Sequence, residues 1–392
     1  MPSPPLRDLQ GAVRLAADAA EGAADVAEAA HAAVARPWRR ATRARGVAGL
    51  AYRTVRGGIR LAGWVGRGAA GRTGPSGAGP RSARREAWVA ALNGVCGDAL
   101  AADGNPLATT LHLRHGGRPL ELSADALGQS VEAPSDVLVV RVHGICMHDG
   151  QWGRGQAAAL AQGLGAMDLA VRYNSGRHVS ENGRDLDAAL EALVEPWPRT
   201  VRRVVIVGHS MGGLVARSAL VSAHAAGHAW PGRDVSLVTL GTPHHGAPLE
   251  RLGNAVDRLL GATAWSRPFA RIGQVRSAGV TDLRWGNVRD GDWAGLDRFV
   301  GGPDARRPAP VPPGVALYTV AAVVGRRRLR LRDQTWGDGL VPLDSALGRH
   351  PERARDLAVP PDRQWVAAGL SHFDLTHSPA VTARVLGWLR RP

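Results

Sequence analysis

The stretch VVIVGHSMGGLVARSAL, residues 204–220, decides how the chain is read. Four consecutive apolar β-branched residues, Val204 to Val207, suit a strand buried on both faces, and from Met211 onward the pattern turns to that of an amphipathic helix. Between them stands Gly208-His209-Ser210-Met211-Gly212, a G-x-S-x-G segment. Its serine is expected on a sharp strand-to-helix turn that holds the side chain out at the edge of a sheet. The outer glycines answer a steric demand, since bulky side chains two residues either side of the serine would clash in so tight a turn. No other serine in the chain is flanked in this way, and Ser210 is the candidate nucleophile.

Working outward, the chain after Pro134 alternates apolar runs with helical stretches. Strands are expected at 136–142 (DVLVVRV), 167–173 (MDLAVRY), 201–207 (VRRVVIV), 234–240 (DVSLVTL), 316–324 (ALYTVAAVV) and 363–368 (RQWVAA). Segments such as GRDLDAALEALV and SMGGLVARSALVSAHAA lie between them as helices, which gives a mostly parallel sheet with helices on both faces. Residues 250–312 show no clear strand, contain Trp265, Trp285 and Trp293, and end in ARRPAPVPPG. They read as an insertion, a lid or cap over the carboxyl edge of the sheet.

Upstream, residues 81–133 form a lead-in: a helix ending near Gly104, then two strands around a turn at Gly116 and Gly117. GRTGPSGAGPRS, residues 71–82, has the composition of a flexible linker and sets a boundary near residue 80. The catalytic domain is thus expected over 81–392, and residues 1–80 form an N-terminal Ala- and Arg-rich helical extension. Within that extension Arg53, Arg56, Arg60 and Arg67 fall within roughly 60° on a helical wheel, with Trp64 on the same side and most apolar residues elsewhere. Two readings stay open: a helix attached to an anionic membrane surface, or a helix packed on the catalytic domain with a solvated Arg face.

Composition bounds the remainder. With 44% apolar residues the chain can bury a core, unlike a disordered one. The net charge of +15 raises the question of nucleic acid, yet every one of the 49 basic residues is Arg and none is Lys, as a coding bias would produce. No zinc-finger, RNA-binding or helix-turn-helix signature occurs, so no nucleic-acid partner is expected. Two cysteines, Cys96 and Cys146, are too few for a disulfide framework or thiolate metal cluster, leaving a single bridge as the one disulfide option. The N-terminus lacks the unbroken apolar run of a signal peptide, and no stretch reaches transmembrane length. Cytoplasmic residence, with a membrane surface as the alternative setting, is the expectation.

A serine hydroxyl is a weak nucleophile until a base takes its proton, and that base must be oriented by a carboxylate. Beyond the strand at 316–324, QTWGDGLVPLDSA offers Asp338 in a D-G-x-V context, with Asp333 and Asp344 as its neighbours. Beyond the last strand, GLSHFDLTHSPAVTARVLGWL offers His372 in a loop before the C-terminal helix. His244 and His245 follow too early a strand for the order serine, acid, histidine, and suit a pocket wall or backbone partners better. His377 suits capping of the last helix.

GHSMGG, the D-G-L-V segment, the H-x-D near the end and LVTLGTPHHGAPLE at 237–250 together resemble bacterial lipases and esterases of the α/β-hydrolase superfamily, including the triacylglycerol-lipase-like and GPI inositol-deacylase-like groups. The resemblance covers residues 136–392. It implies Ser210 as nucleophile, Asp338 as acid and His372 as base of a cofactor-free triad acting on esters of lipids or other hydrophobic acyl compounds. Met211 follows the elbow as one oxyanion-hole donor, and the His143-Gly144 pair, matching the lipase H-G signature, makes Ile145 the second. Cys146 is then a loop residue. The paired carboxylates of a calcium site are not evident around Asp338, so no metal is expected. A second reading makes the N-terminal third the working part, a membrane or partner adaptor carrying a silent hydrolase scaffold. Nucleophile, acid and base retained in the expected order weigh against it.

Overall fold

The computed structural model describes residues 83–247, 276–298, 303–325 and 337–390. The N-terminal extension with its Arg stripe, the linker, residues 250–275 of the inserted stretch and Asp333 lie outside the described residues. The chain divides into a small unit containing Leu100–Ala108 and a large one comprising Ala83–Ala99 with Thr109–Pro392. In the small unit a turn is closed by the Asn105 N–H donating to the Leu100 carbonyl at 2.8 Å, and the Asn105 side chain accepts from the Leu107 N–H.

The large unit is built on an eight-stranded sheet. In chain order its elements are helix α1 (Ala83–Ala102, of which the residues up to Ala99 belong to this unit), strands β1 (His112–His115) and β2 (Arg118–Pro119), α2 (Ala124–Ser130), β3 (Val137–Val142), α3 (Arg154–Leu164), β4 (Met167–Arg172) and α4 (Val179–Val194). There follow β5 (Arg203–His209), α5 (Met211–Ala226), β6 (Asp234–Leu240), α6 (Ala278–Asp282), β7 (Ala316–Val323), α7 (Leu343–Leu347), β8 (Gln364–Ala368) and α8 (Pro379–Leu389). The strand order is β2-β1-β4-β3-β5-β6-β7-β8. From β4 to β8 every pairing is parallel, and only the expected hairpin β1–β2, joined to the sheet through β1 and β4, runs antiparallel.

The continuous apolar strands resolve into two faces once alternation is applied. Leu138, Val140, Val142, Val204 and Ile206 pack with Leu186, Leu190 and Leu193 of α4 and with Leu214 and Val215 of α5. Val139, Val205, Val207, Val238 and Leu240 face the other way, onto Leu160 of α3 and Val381, Val385 and Trp388 of α8. Helices α3, α4, α5 and α8 therefore each bury a stripe on the central strands, which are wet on neither side. Removing a fully buried leucine such as Leu190 would cost about 2–5 kcal/mol.

The described part of the inserted stretch is packed inward. Leu283 and Val288 are buried in the first cluster, and the Ser277 hydroxyl donates to the Gly94 carbonyl. Asp282, on α6, accepts from the Val179 N–H at 2.8 Å, which carries α4 back to Val179, ahead of the GRDLDAALEALV segment read from sequence. No strand occurs among the described residues 276–298 and 303–312 of the stretch read as an insertion over 250–312. Among the described residues no helix is long and apolar enough to cross a membrane.

Candidate active site

Strand β5 delivers Ser210 at its carboxyl end with φ 54° and ψ −126°, a backbone geometry costing on the order of 1–3 kcal/mol outside glycine. Its surroundings enforce that geometry. A Cβ on Gly208 would lie 2.5 Å from the Gly213 Cα, and one on Gly212 would collide with the carbonyl oxygens of Val142 and His143. The elbow helix α5 is thus pressed directly against the loop that leaves β3. The Ser210 N–H donates to the Leu240 carbonyl at 2.9 Å, tying the turn to β6.

Asp338 and His372 meet as the chain order requires. His372 Nδ1 lies 2.7 Å from Asp338 Oδ2, with both side chains buried. Asp338 Oδ1 accepts from the N–H groups of Leu340 and Val341 at 3.0 and 2.9 Å, so the carboxylate is fixed by the turn that D-G-L-V forms. A carboxylate only accepts, so the proton of this contact sits on His372 Nδ1 and leaves the Nε2 lone pair unshared. Neither His372 Nε2 nor the Ser210 hydroxyl makes a hydrogen bond among the described residues. Hydrogen bonds between base and nucleophile are commonly long before substrate arrives. His209, the residue before Ser210, packs its ring 4.8 Å from that of His372, and its Nε2 donates to the His372 carbonyl at 3.0 Å.

The β3 loop lies beside Ser210: a Cβ on Gly144 would come within 3.0 Å of the Ser210 Cβ. Ile145 is buried, and neither its N–H nor that of Met211 has an acceptor among the described residues. Sequence reasoning missed what holds this loop. The Tyr173 hydroxyl donates to the His143 carbonyl at 2.7 Å while its ring stacks 4.3 Å from His143, and the Ser175 hydroxyl accepts the Cys146 N–H at 3.1 Å. Both residues follow β4, the neighbour of β3, and only the strand order could have signalled them. Cys146 itself has φ 58°, is buried and unpaired, and burial pushes its thiol up to about 12, which leaves it no nucleophilic thiolate near neutrality. Cys96 is likewise a free thiol, so the single bridge left open by the sequence is absent.

The rivals go elsewhere. Asp344, on α7, is exposed and faces Arg349 at 3.8 Å. His245 Nε2 donates to the Gly348 carbonyl, the backbone role expected of that pair. His377 closes the short turn Phe373–Thr376, whereas Ser378 stands at the start of α8, so the capping role expected for His377 falls one residue off. Cavities of about 420 and 520 Å³ lie along α5 and beside Trp293, and neither is lined by Ser210, Asp338 or His372. Among the described residues no cluster of His, Cys, Asp and Glu is arranged to hold a metal ion.

Residues 167–319 match the model of the PGAP1-like alpha/beta domain family, a stretch that contains Ser210 and Met211 but neither Asp338 nor His372. Among solved structures the chain is similar to Bacillus licheniformis lipase BlEst2 in its mature form, at 22% identity and TM-score 0.42, over 67% of this chain and 96% of that one. It is also similar to Pyrococcus furiosus esterase Pf2001, at 18% identity and TM-score 0.40, over 66% and 81% of the two chains. With Aspergillus fumigatus lipase B the figures are 12% identity, TM-score 0.39, and 70% and 59% coverage. Comparison with curated proteins finds no match. A mostly parallel sheet covered by helices on both faces, a strained serine turn between β5 and α5, and a central stretch matching the PGAP1-like domain give this chain the α/β-hydrolase fold.

Proposed function

We propose that the chain is a serine hydrolase that cleaves carboxylic esters of hydrophobic acyl compounds through an acyl-enzyme. The observation that carries the reading is the buried His372–Asp338 pair at 2.7 Å, set against a serine turn whose neighbour His209 packs on the same imidazole. Ser210 Oγ attacks the ester carbonyl as His372 Nε2 takes its proton, and Asp338 holds the resulting imidazolium. The N–H groups of Ile145 and Met211 stabilise the oxyanion, each donor contributing about 3 kcal/mol to the transition state. Collapse returns the proton from His372 to the departing alcohol. Water, deprotonated by His372, then releases the carboxylic acid and restores the serine. Phe373 supports a hydrophobic substrate: the residue is 41% exposed and its ring stands edge-on to His372, offering apolar surface beside the base.

The test is labelling with a fluorophosphonate probe followed by mass spectrometry, alongside hydrolysis of a p-nitrophenyl ester. The wild-type chain is expected to take up the phosphonyl group on Ser210, and Ser210→Ala to lose both labelling and turnover with an unchanged circular dichroism spectrum. Full turnover by Ser210→Ala overturns the reading, and labelling elsewhere points to another nucleophile.

A further inference from the structure

His209 is wholly buried at the end of β5, one residue before the serine, and nothing in the reaction above employs it. Its Nε2 lies 3.0 Å from the main-chain oxygen of His372, and a carbonyl oxygen can only accept, so this nitrogen carries the proton. Nδ1 is then a bare lone pair with no partner among the described residues, on the side of the ring that faces Gly144. Burial, followed by the nearby His372, holds the ring in its neutral form, so the tautomer is the same throughout the neutral range.

The loop that His209 grips is otherwise attached at a distance from the base. The Gln156 side chain donates to the Leu375 carbonyl at 3.1 Å, and the Gly153 N–H donates to the Thr376 carbonyl at 3.2 Å. At His372 itself the backbone has two ties. Its N–H reaches the Asp338 carbonyl at 3.3 Å, and its carbonyl receives His209. The first tie fixes the base to the acid. The second fixes it to the strand that carries the nucleophile, because His209 and Ser210 are adjacent. Trp152 backs the His209 ring edge-on at 6.3 Å, and the Trp152 Nε1–H donates to Gln156, so the ring is seated from behind by the residues that hold Leu375.

We infer that His209 is a positioning residue that sets the separation between nucleophile and base, its Nε2–H holding the main-chain carbonyl of His372 to the end of β5. The inference rests on the serine-hydrolase reading and names the device that registers two of its parts. A displacement of about 1 Å between reacting groups costs on the order of 100-fold in rate, while substrate affinity depends on other surfaces. The loss should therefore fall on the maximal rate.

The side-chain nitrogen of glutamine is as many bonds from the backbone as His Nε2, whereas that of asparagine is one bond shorter. Phosphonylation of the full-length chain by a fluorophosphonate probe, measured against probe concentration, separates maximal rate from half-saturation without needing the natural ester. His209→Met is expected to lower the maximal rate on the order of 100-fold with half-saturation within about threefold, and His209→Gln to recover most of it. His209→Asn should behave like the methionine variant. Should the methionine variant fail to fold, the glutamine and asparagine variants decide between themselves, since both are polar and both remove the ring. Equal losses in glutamine and asparagine variants, a wild-type rate in the methionine variant, or a loss confined to half-saturation each overturn the inference. Wild-type reactivity in Ser210→Ala would instead overturn the underlying reading, and the two failures are thereby distinct.

Discussion

His372 and His244 each follow a parallel strand of the same sheet, β8 and β6, and each is buried, yet their rings are bound into opposite electrical settings. His372 Nδ1 faces the Asp338 carboxylate, which only accepts. His244 Nδ1 lies 3.0 Å from the Arg217 guanidinium, which only donates. His244 must accept there, so its proton sits on Nε2 and is donated to the Thr239 hydroxyl at 3.2 Å, which in turn donates to the Tyr318 carbonyl. Both of its nitrogens are spent. Burial first, then the Arg217 charge, drives its pKa well below the ordinary value, so it cannot hold a proton taken from a serine. Burial at a strand end thus does not set the tautomer of a histidine. The sign of the partner's charge does, by deciding which nitrogen is left free.

The largest expected effect strikes the partner that gives His372 its tautomer. Asp338→Asn should lower kcat by about 10⁴-fold, the loss typical when the orienting carboxylate of a triad becomes an amide. Asp344→Asn, on an exposed side chain, should leave kcat within about twofold in the same ester assay. A larger loss from Asp344→Asn would break the comparison at its root. His244→Ala should do the converse. It removes the acceptor from a buried guanidinium and should cost about 3 kcal/mol of stability, while kcat of the folded protein stays within about threefold. Thermal melting and active-site titration together check this, and loss of turnover at full stability would place His244 in the chemistry.

Acidity offers a gentler probe. His143, His209 and His244 are held neutral by burial, His143 down to about 3 and the other two well below their ordinary value. In the unfolded chain they protonate near pH 6.5. The unfolded state then binds more protons, so the stability they allow is full above about pH 6.5 and is lost as pH falls, by up to about 1.4 kcal/mol per histidine per unit. Urea unfolding at pH 7.5, 6 and 5 should show this decline, and a flat profile would mean that the rings are not neutral in the fold. The smallest effect has the opposite sign. His228, raised by its hydrogen bond to Asp187 at 2.8 Å, adds stability below its ordinary value that fades as pH climbs through the raised one. His228→Gln should remove that small alkaline decline.

Local and periodic features were legible in the sequence. The strand DVSLVTL occupies the span read for it, and the G-x-S-x-G turn forms because glycine, serine and glycine meet steric conditions set within a few residues. Asp338 and His372 were legible through chain order after late strands, and they do meet. What could not be read depends on neighbours distant in the chain. The Tyr173 hydroxyl on His143 exists because β4 lies beside β3, and the extra turn of α4 exists because Asp282, over a hundred residues away, satisfies the Val179 N–H. Nor does periodicity report the kink at Cys96 inside α1, where the sequence reads as an unbroken helix.

The backbone of Ser210, at φ 54°, also says something about selection. Glycine tolerates such angles freely, whereas any side chain with a Cβ is strained there. An alanine would keep that strain and a glycine would release it, so the two ways of removing the hydroxyl part company in thermal melting. A laboratory screen that rewarded heat resistance alone would therefore drift toward glycine at position 210 and discard the proposed nucleophile while stabilising the fold. On the proposed reading, serine stands at that turn against the preference of the fold, for its hydroxyl and at a standing expense in stability.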